Sequence, residues 1–522
     1  MKYPIGIQTF EHIIKNGFVY VDKTDMVYAL ATEGKTYFLS RPRRFGKSLL
    51  LSTLRAYFEG KKELFKGLKI DKLEKDWHAH RVLHIDFNGV VFTRPRALED
   101  ELDKQLSTWE EEYHLPKGTR EMYGWRFEQI VQAIYTETGR GAVVLIDEYD
   151  KPLLDVLEMD PELLNNNREI LKAFYSVFKR TDAYLRFVFL TGVTKFSQVS
   201  VFSGFNQPKD ISMYEQFEAL CGITEEELHT QFAKPIREMA QTENCTEEEI
   251  KLRLKKHYDG YHFSKQMTDI YNPFSVLNAF DSKDIRDFWF ATGTPTYLIR
   301  LMNHFNEGID ELTGREYSLD EFVNYKADTE YPLPMIYQSG YLTIKNYDRE
   351  MDMFLLDFPN NEVKRGFLAM VASNYLQSGQ PMDSWIKRAV LSLRRGQIDQ
   401  FRQMLTAFLA SIPYSMRRKD EERERERYFQ YTFYLLLRLM SVYTIYIEKE
   451  QSEGRVDCVI ETPQFVYIFE FKLDGTAAGA LQQIEDKGYA REYEADARPV
   501  HKIGVNFSSE TGTIEGWEHA IR

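Results

Sequence analysis

The stretch TYFLSRPRRFGKS, residues 36–48, decides the fold of the N-terminal part of this chain. Its apolar run, residues 36–40, predicts a short strand, and the apolar residues that follow Ser48 predict a helix. Gly46-Lys47-Ser48 lies between them, where a phosphate-binding loop belongs. In such a loop, amides at the helix N-terminus face the phosphates, the lysine reaches the β and γ oxygens, and the serine hydroxyl ligates Mg²⁺. The stretch therefore predicts a nucleotide site.

The loop departs from the usual pattern G-x-x-x-x-G-K-[ST], because the position of its first glycine is occupied by Arg41. Pro42 can stiffen the turn, and Arg43 and Arg44 add positive charge near the phosphates. A bare Gly-Lys-Ser tripeptide also arises by chance, so the prediction needs a second motif.

That second motif is the apolar strand Val143–Ile146, which ends in Asp147 and Glu148, one hundred residues after Lys47. In P-loop NTPases the first acid of such a pair supports the Mg²⁺ shell. The second acid suits a general base that orients the attacking water. An ordinary strand that ends in solvated acids is the alternative. Both motifs in this order favour the nucleotide interpretation.

Apolar strands alternate with helices through the first two hundred residues. The predicted strands are Thr36–Ser40, Val82–Phe87, Ala142–Ile146 and Leu185–Leu190, and helices are predicted at Glu99–Glu112 and Arg168–Lys179. Buried strands that alternate with helices indicate an α/β layer with a mostly parallel sheet.

The remaining chain divides into a helical region and a second α/β region. We expect a P-loop domain at residues 1–210, a mostly helical middle region at 211–383 and a C-terminal domain at 384–522. The hairpin Tyr341–Leu356 follows helices, so it is either part of a winged helix that contacts DNA or a packing spacer. Strands are predicted in the C-terminal region at Tyr443–Glu448, Arg455–Glu461 and Phe465–Leu473, then a helix at Ala477–Glu492 and a closing strand at Lys502–Phe507.

Two carboxylates and a lysine mark the C-terminal region. Side chains alternate across a strand, so Glu470 and Lys472 share one face, and Asp457 on the preceding strand can join them. Asp457 and Glu470 can hold one or two Mg²⁺ ions, and Lys472 can stabilise or activate a water. Metal-assisted phosphodiester hydrolysis uses such a set. A hairpin with a Glu–Lys surface pair and an unrelated aspartate is the alternative.

Composition limits the class of protein. A chain of 522 residues exceeds the roughly 250–300 residues of a single hydrophobic core, so two or three domains are expected. The net charge of −13 argues against a histone-like coat of nucleic acid but leaves a local basic groove open. Three distant cysteines provide neither a disulfide framework nor a cysteine zinc site. No signal peptide or membrane span is apparent, so we expect a cytoplasmic protein.

The N-terminal third resembles the AAA-ATPase-like domain found in many bacterial proteins. The resemblance rests on YVDKT (20–24), SRPRRFGKS (40–48), DEYDKP (147–152), TGVT (191–194) and SGFN (203–206), and continues through YDGY (258–261), YNPFS (271–275) and TGTP (292–295). The glycine missing at Arg41 is also missing in that family. The resemblance implies an additional-strand P-loop fold that binds ATP and Mg²⁺, with Thr191 or Thr194 as a sensor near the γ-phosphate. It assigns nucleotide contacts to Arg44, Phe45, Gly46, Lys47, Ser48, Leu49, Asp147 and Thr191, with Ser48 and Asp147 on the metal.

The spacing Asp457-(x)12-Glu470-x-Lys472 is similar to the core of PD-(D/E)XK nucleases, and the AAA-ATPase-like family commonly carries such a domain. The resemblance implies that Gln483, on the following helix, belongs to the site. Glu426 resembles the acid of the first helix, and Glu448 resembles a strand acid.

Two functions fit the sequence. The first is an ATP-hydrolysing protein with an Mg²⁺-dependent nuclease domain, in which Glu148 serves ATP hydrolysis and Asp457, Glu470, Lys472 and Gln483 serve cleavage of nucleic acid, with DNA favoured. The second is a nucleotide-dependent switch whose nuclease-like domain binds nucleic acid without useful cleavage. The choice of DNA or RNA, the trigger and the oligomeric state, a homo-oligomer included, stay open.

Overall fold

The structure is a computed structural model, and it contains two compact units, Met1–Lys364 and Arg365–Arg522. It describes residues 1–196, 208–290, 297–298, 312–324, 331–376, 382–412, 432, 435–437, 444–451 and 454–522. The expected division into three domains, with boundaries at residues 210 and 383, stays a prediction.

The first unit is built on a parallel sheet. Among the residues described, its strands are β1 (Thr36–Ser40), β2 (Val82–Asp86), β3 (Ala142–Asp147), β4 (Leu185–Gly192) and β5 (Lys209–Asp210), in the order β2-β3-β4-β1-β5. All neighbouring pairs run parallel. Strand β4 lies between β1, which leads into the phosphate loop, and β3, which ends in the two acids. This is the additional-strand arrangement, so the fold prediction is confirmed.

Buried strands explain why the sheet forms. Every residue of β3 is buried, as is nearly every residue of β4, so both strands need cover on both faces. Helices provide that cover. The α-helices of this layer are Phe10–Lys15, Thr24–Glu33, Lys47–Phe58, Lys69–Leu73, Ala97–Glu112, Tyr123–Thr138, Lys151–Leu154 and Pro161–Arg180. The carboxyl ends of β1, β3 and β4 therefore meet at one edge of the sheet, where the predicted nucleotide residues lie.

Helices follow the sheet, as predicted. They span Glu225–Gln231, Ala233–Glu243, Glu247–Tyr258 and Pro273–Ser282, with a short pair of strands, β6 (Ile223–Thr224) and β7 (Ile270–Tyr271). Capping boxes at Thr224 and Thr246 define two helix starts. Each threonine hydroxyl accepts a hydrogen bond from the amide of the glutamate three residues on, and that glutamate's carboxylate accepts one from the threonine amide. Apolar side chains from these helices form one buried core.

A strand, two helices and a hairpin end the first unit. The elements are β8 (Arg315–Tyr317), helices Leu319–Val323 and Leu333–Gln338, β9 (Thr343–Asp348) and β10 (Met353–Asp357), and the sheet order is β8-β10-β9. This order is that of a winged helix. The second helix, however, is almost entirely buried within the unit, and Gln338 accepts a hydrogen bond from the Lys195 amide at 2.7 Å. Burial favours the packing interpretation over DNA contact for this helix.

The second unit has its own sheet. Strands β11 (Thr444–Gln451), β12 (Gly454–Glu461), β13 (Val466–Leu473), β14 (Val500–Phe507) and β15 (Ile514–Ile521) lie in that order within the described part of the chain. The helices of this unit whose bounds are described are Met382–Arg394, Ile398–Ala410 and Ala477–Asp486, and helix Asn361–Leu376 spans the division between the units. The parallel pair β13–β14 is joined through helix Ala477–Asp486.

Two details of the second unit were predicted wrongly. The sheet does not close at residue 507, because β15 adds an antiparallel edge strand beside β14. The helix after β13 ends at Asp486 rather than Glu492, and Lys487-Gly488 follows it, with Gly488 at a φ of 60°. Glycine takes that left-handed conformation at little cost, so it ends the helix.

A buried ion-pair network joins two helices beside the parallel sheet. Arg126, on helix Tyr123–Thr138, has 0% of its side chain exposed and donates to Glu110 at 2.7 Å and to Asp103 at 2.6 Å. Alanine at this position leaves the buried Glu110 carboxylate without its cation and leaves Asp103 with only the more exposed Arg120, so we expect Arg126→Ala to lower the free energy of unfolding by about 3–5 kcal/mol. Chemical denaturation, monitored for the first unit, measures that loss.

Arg120 provides the matched control. It pairs with Asp103 at 3.1 Å in the same network, but 48% of its side chain is exposed. Screening by water limits such pairs to about 0–1 kcal/mol, so Arg120→Ala should cost far less than Arg126→Ala. Equal losses for the two variants would contradict the importance of the buried pairs.

Candidate functional site

The loop between β1 and the helix that begins at Lys47 turns through two residues with left-handed backbone conformations. Arg44 has a φ of 66° and Gly46 a φ of 96°. A Cβ added at Gly46 would contact nothing, so the position requires glycine for its backbone angle and leaves open space beside the helix N-terminus. Unpaired amides at such a terminus bind anions.

Lys47 lies across this loop. Its Nζ is 3.2 Å from the Arg41 carbonyl oxygen and 3.3 Å from that of Pro42, and 3.5 Å from Glu148 Oε1. Only 4% of the side chain is exposed. The structure thus brings together the lysine and the glutamate that lie 101 residues apart in the sequence.

Asp147 ends β3 next to Lys47 and Ser48. Burial and the charge of Glu148 raise the pKa of Asp147 to about 6, against a hydrogen bond from Ser48 and the charge of Lys47. Asp86 lies opposite Asp147 in the register of β2 and β3. Asp86 is thus a further carboxylate at this sheet edge, and it was not among the predicted site residues. Its position at the end of an apolar strand, like that of Asp147, is the sequence feature that could have indicated it.

Glu148 has a φ of 52°, and 21% of its side chain is exposed. A non-glycine residue in this left-handed region is uncommon. Strand β3 ends at Asp147, directly before this residue. The two neighbouring acids have different surroundings, since Asp147 is buried and Glu148 is partly accessible to solvent.

A latch joins the residues after Glu148 to the end of β4. The buried Asp150 accepts hydrogen bonds from the amides of Val193 and Thr194, at 3.0 and 2.6 Å, and from the Thr194 hydroxyl at 2.7 Å. A side chain at Gly192 would collide with Asp150.

Thr191, predicted near the γ-phosphate, is fully buried and its Oγ1 has no hydrogen-bond partner within the described structure. Thr194 is the threonine that the latch holds.

Two residues of the loop, Arg41 and Phe45, have side chains buried in the protein interior. Arg41 is 1% exposed, donates to the carbonyl oxygens of Ser40 and Ser212, and lies 4.1 Å from the ring centre of Phe263. The arginine at the position of the usual glycine thus packs its side chain into the protein interior. Phe45 is also buried, with its ring centre 4.7 Å from that of Tyr261. Any contact of Phe45 with a nucleotide would have to come from its backbone.

The other predicted nucleotide contacts lie on the surface side of the loop. Arg44 is exposed, and its guanidinium carbon is 5.2 Å from the ring centre of Phe274. Ser48 and Leu49 are half-buried in the first turn of the helix. We call Arg44–Leu49, Asp147, Glu148 and Thr191 the phosphate-loop site.

A second group of predicted residues meets in the other unit. Gln483, on helix Ala477–Asp486, donates to Glu470 Oε1, and its own Oε1 accepts from Lys472 Nζ at 2.6 Å. Lys472 Nζ is 4.0 Å from Glu470 Oε1. Asp457 Oδ2 accepts from the Phe471 amide at 2.8 Å. We call these four residues, Asp457, Glu470, Lys472 and Gln483, the acid–lysine site.

The acid–lysine site suits a divalent cation. Glu470 is 2% exposed, and its Oε2 has no hydrogen-bond partner in the described structure. Burial and the charge of Asp457 raise the pKa of Glu470 to about 7, against the charge of Lys472. A buried carboxylate oxygen without a partner is costly, and a hard cation would satisfy it. The described residues contain no cluster of three or more His, Cys, Asp and Glu side chains that could hold a metal ion.

Several residues of the sequence prediction lie outside this description. Residues 203–206, residues 292–295 and Glu426 are not among the described residues, and the side chain of Glu448 is not described. Cys221, Cys245 and Cys458 do not form disulfide bonds. No helix in the described segments is both long and apolar enough to span a bilayer.

Fold and sites define a P-loop protein of the additional-strand type that carries a nuclease-like domain. Comparison with known families agrees: residues 4–202 match the family described as Predicted AAA-ATPase, and residues 424–517 match the PD-(D/E)XK nuclease superfamily. The uncharacterized protein in the vnfD 5' region of Azotobacter chroococcum mcd 1 is 36% identical to this chain over an alignment of 525 residues. The alignment covers 99% of this chain and 98% of that protein. The chain belongs to the family of that protein.

Similarity to solved structures is weak. The Aeropyrum pernix ORC2 protein, in ADPNP–ADP complexes, is 12% identical with a TM-score of 0.26, and the match covers 67% of this chain and 94% of that one. The Aeropyrum pernix ORC1 protein in complex with DNA is 11% identical with a TM-score of 0.23, over 67% of this chain and 93% of that one. Scores this low carry no argument about function.

Proposed function

We propose that this protein binds and hydrolyses ATP at the phosphate-loop site and cleaves nucleic acid, DNA in the first place, at the acid–lysine site. The observation that supports ATP hydrolysis best is the approach of Lys47 to Glu148 at 3.5 Å beside the buried Asp147. A P-loop lysine, a metal-supporting acid and a water-orienting acid are the groups that such hydrolysis uses.

Each residue of the phosphate-loop site has a separate task in this proposal. Lys47 binds the β and γ phosphates as a cation, and Ser48 and Asp147 hold Mg²⁺ directly or through water. Glu148 accepts a proton from the attacking water, because it is the partly exposed acid of the pair. The bound Mg²⁺ would neutralise charge that develops on the phosphate oxygens.

The acid–lysine site has a comparable division of tasks. Asp457 and Glu470 would hold Mg²⁺, which would polarise the phosphodiester. Lys472 stabilises or activates the attacking water. Gln483 fixes both Glu470 and Lys472, since it bonds to each of them through one end of its amide. The unpartnered Glu470 Oε2 is the observation that supports this proposal.

Glu148→Gln separates ATP binding from hydrolysis. The substitution keeps the shape of the side chain but removes the carboxylate that accepts the proton. We expect a fluorescent ATP analogue to bind with an affinity within about threefold of native, while kcat falls by at least about a hundredfold. Steady-state phosphate release measures kcat. Turnover at the native rate would show that Glu148 is not the general base.

The nuclease proposal is tested with the full chain on single-stranded and double-stranded DNA and on RNA, each with Mg²⁺ or Mn²⁺, with and without ATP. Metal-dependent cleavage that disappears in Asp457→Ala supports the proposal. Binding of nucleic acid that responds to ATP, without cleavage, would instead favour a nucleotide-dependent switch. Cleavage that survives in Asp457→Ala would exclude the acid–lysine site as its source.

A further inference from the structure

Trp289 contacts the phosphate loop from outside it. Its indole Nε1 donates to the carbonyl oxygen of Arg43 at 3.0 Å. The side chain is buried, and its ring centre lies 5.2 Å from that of Tyr341. No motif in the sequence pointed to this residue, and the contact joins positions 246 apart in the chain.

The bond from Trp289 sets the direction of one peptide group of the loop. In a trans peptide the carbonyl and the following N–H point in opposite directions, so holding the Arg43 carbonyl toward the indole turns the Arg44 amide away from it. A phosphate loop works by presenting N–H groups to an anion while its carbonyl oxygens face elsewhere. Arg44 has a φ of 66°, in the left-handed region that is unfavourable for a residue other than glycine. The hydrogen bond from Trp289 helps to stabilise this backbone conformation.

Trp289 is itself held in place by a buried carboxylate. Its backbone N–H donates to Glu362 Oε1 at 2.6 Å, and Ser275 Oγ donates to Glu362 Oε2 at 2.7 Å. Glu362 is 1% exposed. Ser275 follows Phe274, whose ring contacts the Arg44 guanidinium. One carboxylate thus fixes two segments that each touch an arginine of the loop.

We propose that Trp289 is a positioning residue of the phosphate loop, fixed by Glu362, and that it sets the affinity for the nucleotide phosphates. The proposal rests on ATP binding at the phosphate-loop site. Trp289 acts through the Arg43–Arg44 peptide group and has no part in the chemical step, since Lys47, Asp147 and Glu148 carry that step.

Trp289→Phe tests this role, because phenylalanine keeps an aromatic ring but lacks the N–H donor. Loss of the hydrogen bond that holds the Arg43 carbonyl should weaken binding of a fluorescent ATP analogue about tenfold. At saturating ATP, kcat should stay within about threefold of native. Titration gives the affinity, and steady-state phosphate release gives KM and kcat.

Trp77→Phe is the matched control, since the indole Nε1 of Trp77 has no hydrogen-bond partner among the described residues. It should leave the affinity for ATP unchanged. Glu362→Gln is a second variant that keeps the shape of the side chain. A glutamine oxygen can replace only one of the two carboxylate acceptors, so we expect a weaker affinity, about threefold or more, again at near-native kcat.

The outcomes separate this inference from the proposed function. If native protein and Lys47→Ala both fail to bind ATP, the proposed function fails and this inference fails with it. If native protein binds ATP and Trp289→Phe binds equally well, only the positioning role of Trp289 is overturned. A loss of kcat and affinity together, with a lowered melting temperature and no effect of Glu362→Gln, would show a merely structural role. Should Trp289→Phe not fold, an unchanged affinity in Glu362→Gln overturns the proposal and a weakened one supports it.

Discussion

Lys47→Ala is expected to abolish nucleotide binding. The ammonium group of Lys47 lies within the loop, 3.2 Å from the Arg41 carbonyl oxygen and 3.5 Å from Glu148. A hydrogen bond to a charged group contributes about 1.5–3 kcal/mol, and this lysine would serve two phosphates, so the affinity should fall by at least about a hundredfold. Titration with a fluorescent ATP analogue measures the loss, and phosphate release should fall to background.

Folding must be checked for this variant, because Lys47 is buried and alanine leaves two loop carbonyls without their donor. Lys61→Ala is the control, since Lys61 lies on the surface of the same unit and pairs with Glu11 at 2.8 Å and Glu59 at 2.9 Å. Its affinity for ATP should equal that of the native protein. An Lys47→Ala protein that is folded and still binds ATP tightly would refute the assignment of the phosphate loop.

Glu470→Gln is expected to remove cleavage of nucleic acid while leaving ATP hydrolysis nearly intact. Glutamine matches the size of the side chain but supplies no negative charge at the buried oxygen that has no partner. Loss of a residue that merely supports a metal ligand costs about 10–100-fold, so loss of the ligand itself should reduce cleavage by more than about a hundredfold. Binding of Mn²⁺, followed by calorimetry, should weaken in parallel.

ATP turnover in Glu470→Gln should stay within a few-fold of native, because Lys47 and Glu470 belong to different compact units. Coupling between sites is typically about 1–3 kcal/mol, which limits the indirect effect. Glu485→Gln is the control: this carboxylate lies in the same unit and pairs with Lys502 at 2.7 Å, at 47% exposure. Cleavage that persists in Glu470→Gln but not in Glu485→Gln would reverse the site assignment.

Local sequence determined the parts of the fold that depend on neighbouring residues. The strand Thr36–Ser40 has the predicted bounds, and the helix predicted after the loop is present, with its start at Lys47. The alternation of side chains placed Glu470 and Lys472 on one face of β13, where both contact Gln483. These features follow from periodicity and from motifs within about fifteen residues, so they can be read without knowledge of distant contacts.

Tertiary structure alone decided which distant residues shape the phosphate loop. Arg41 belongs to the interior because carbonyl groups about 171 residues further along the chain accept its hydrogen bonds. Trp289 contacts the loop, and Glu362 holds Trp289, from positions that no local pattern connects to the loop. The edge strand Ile514–Ile521 likewise exists because β14 offers it an unpaired edge. Such contacts depend on how helices and strands pack in space, and a hydrogen bond between residues 246 apart leaves no periodic trace in the sequence.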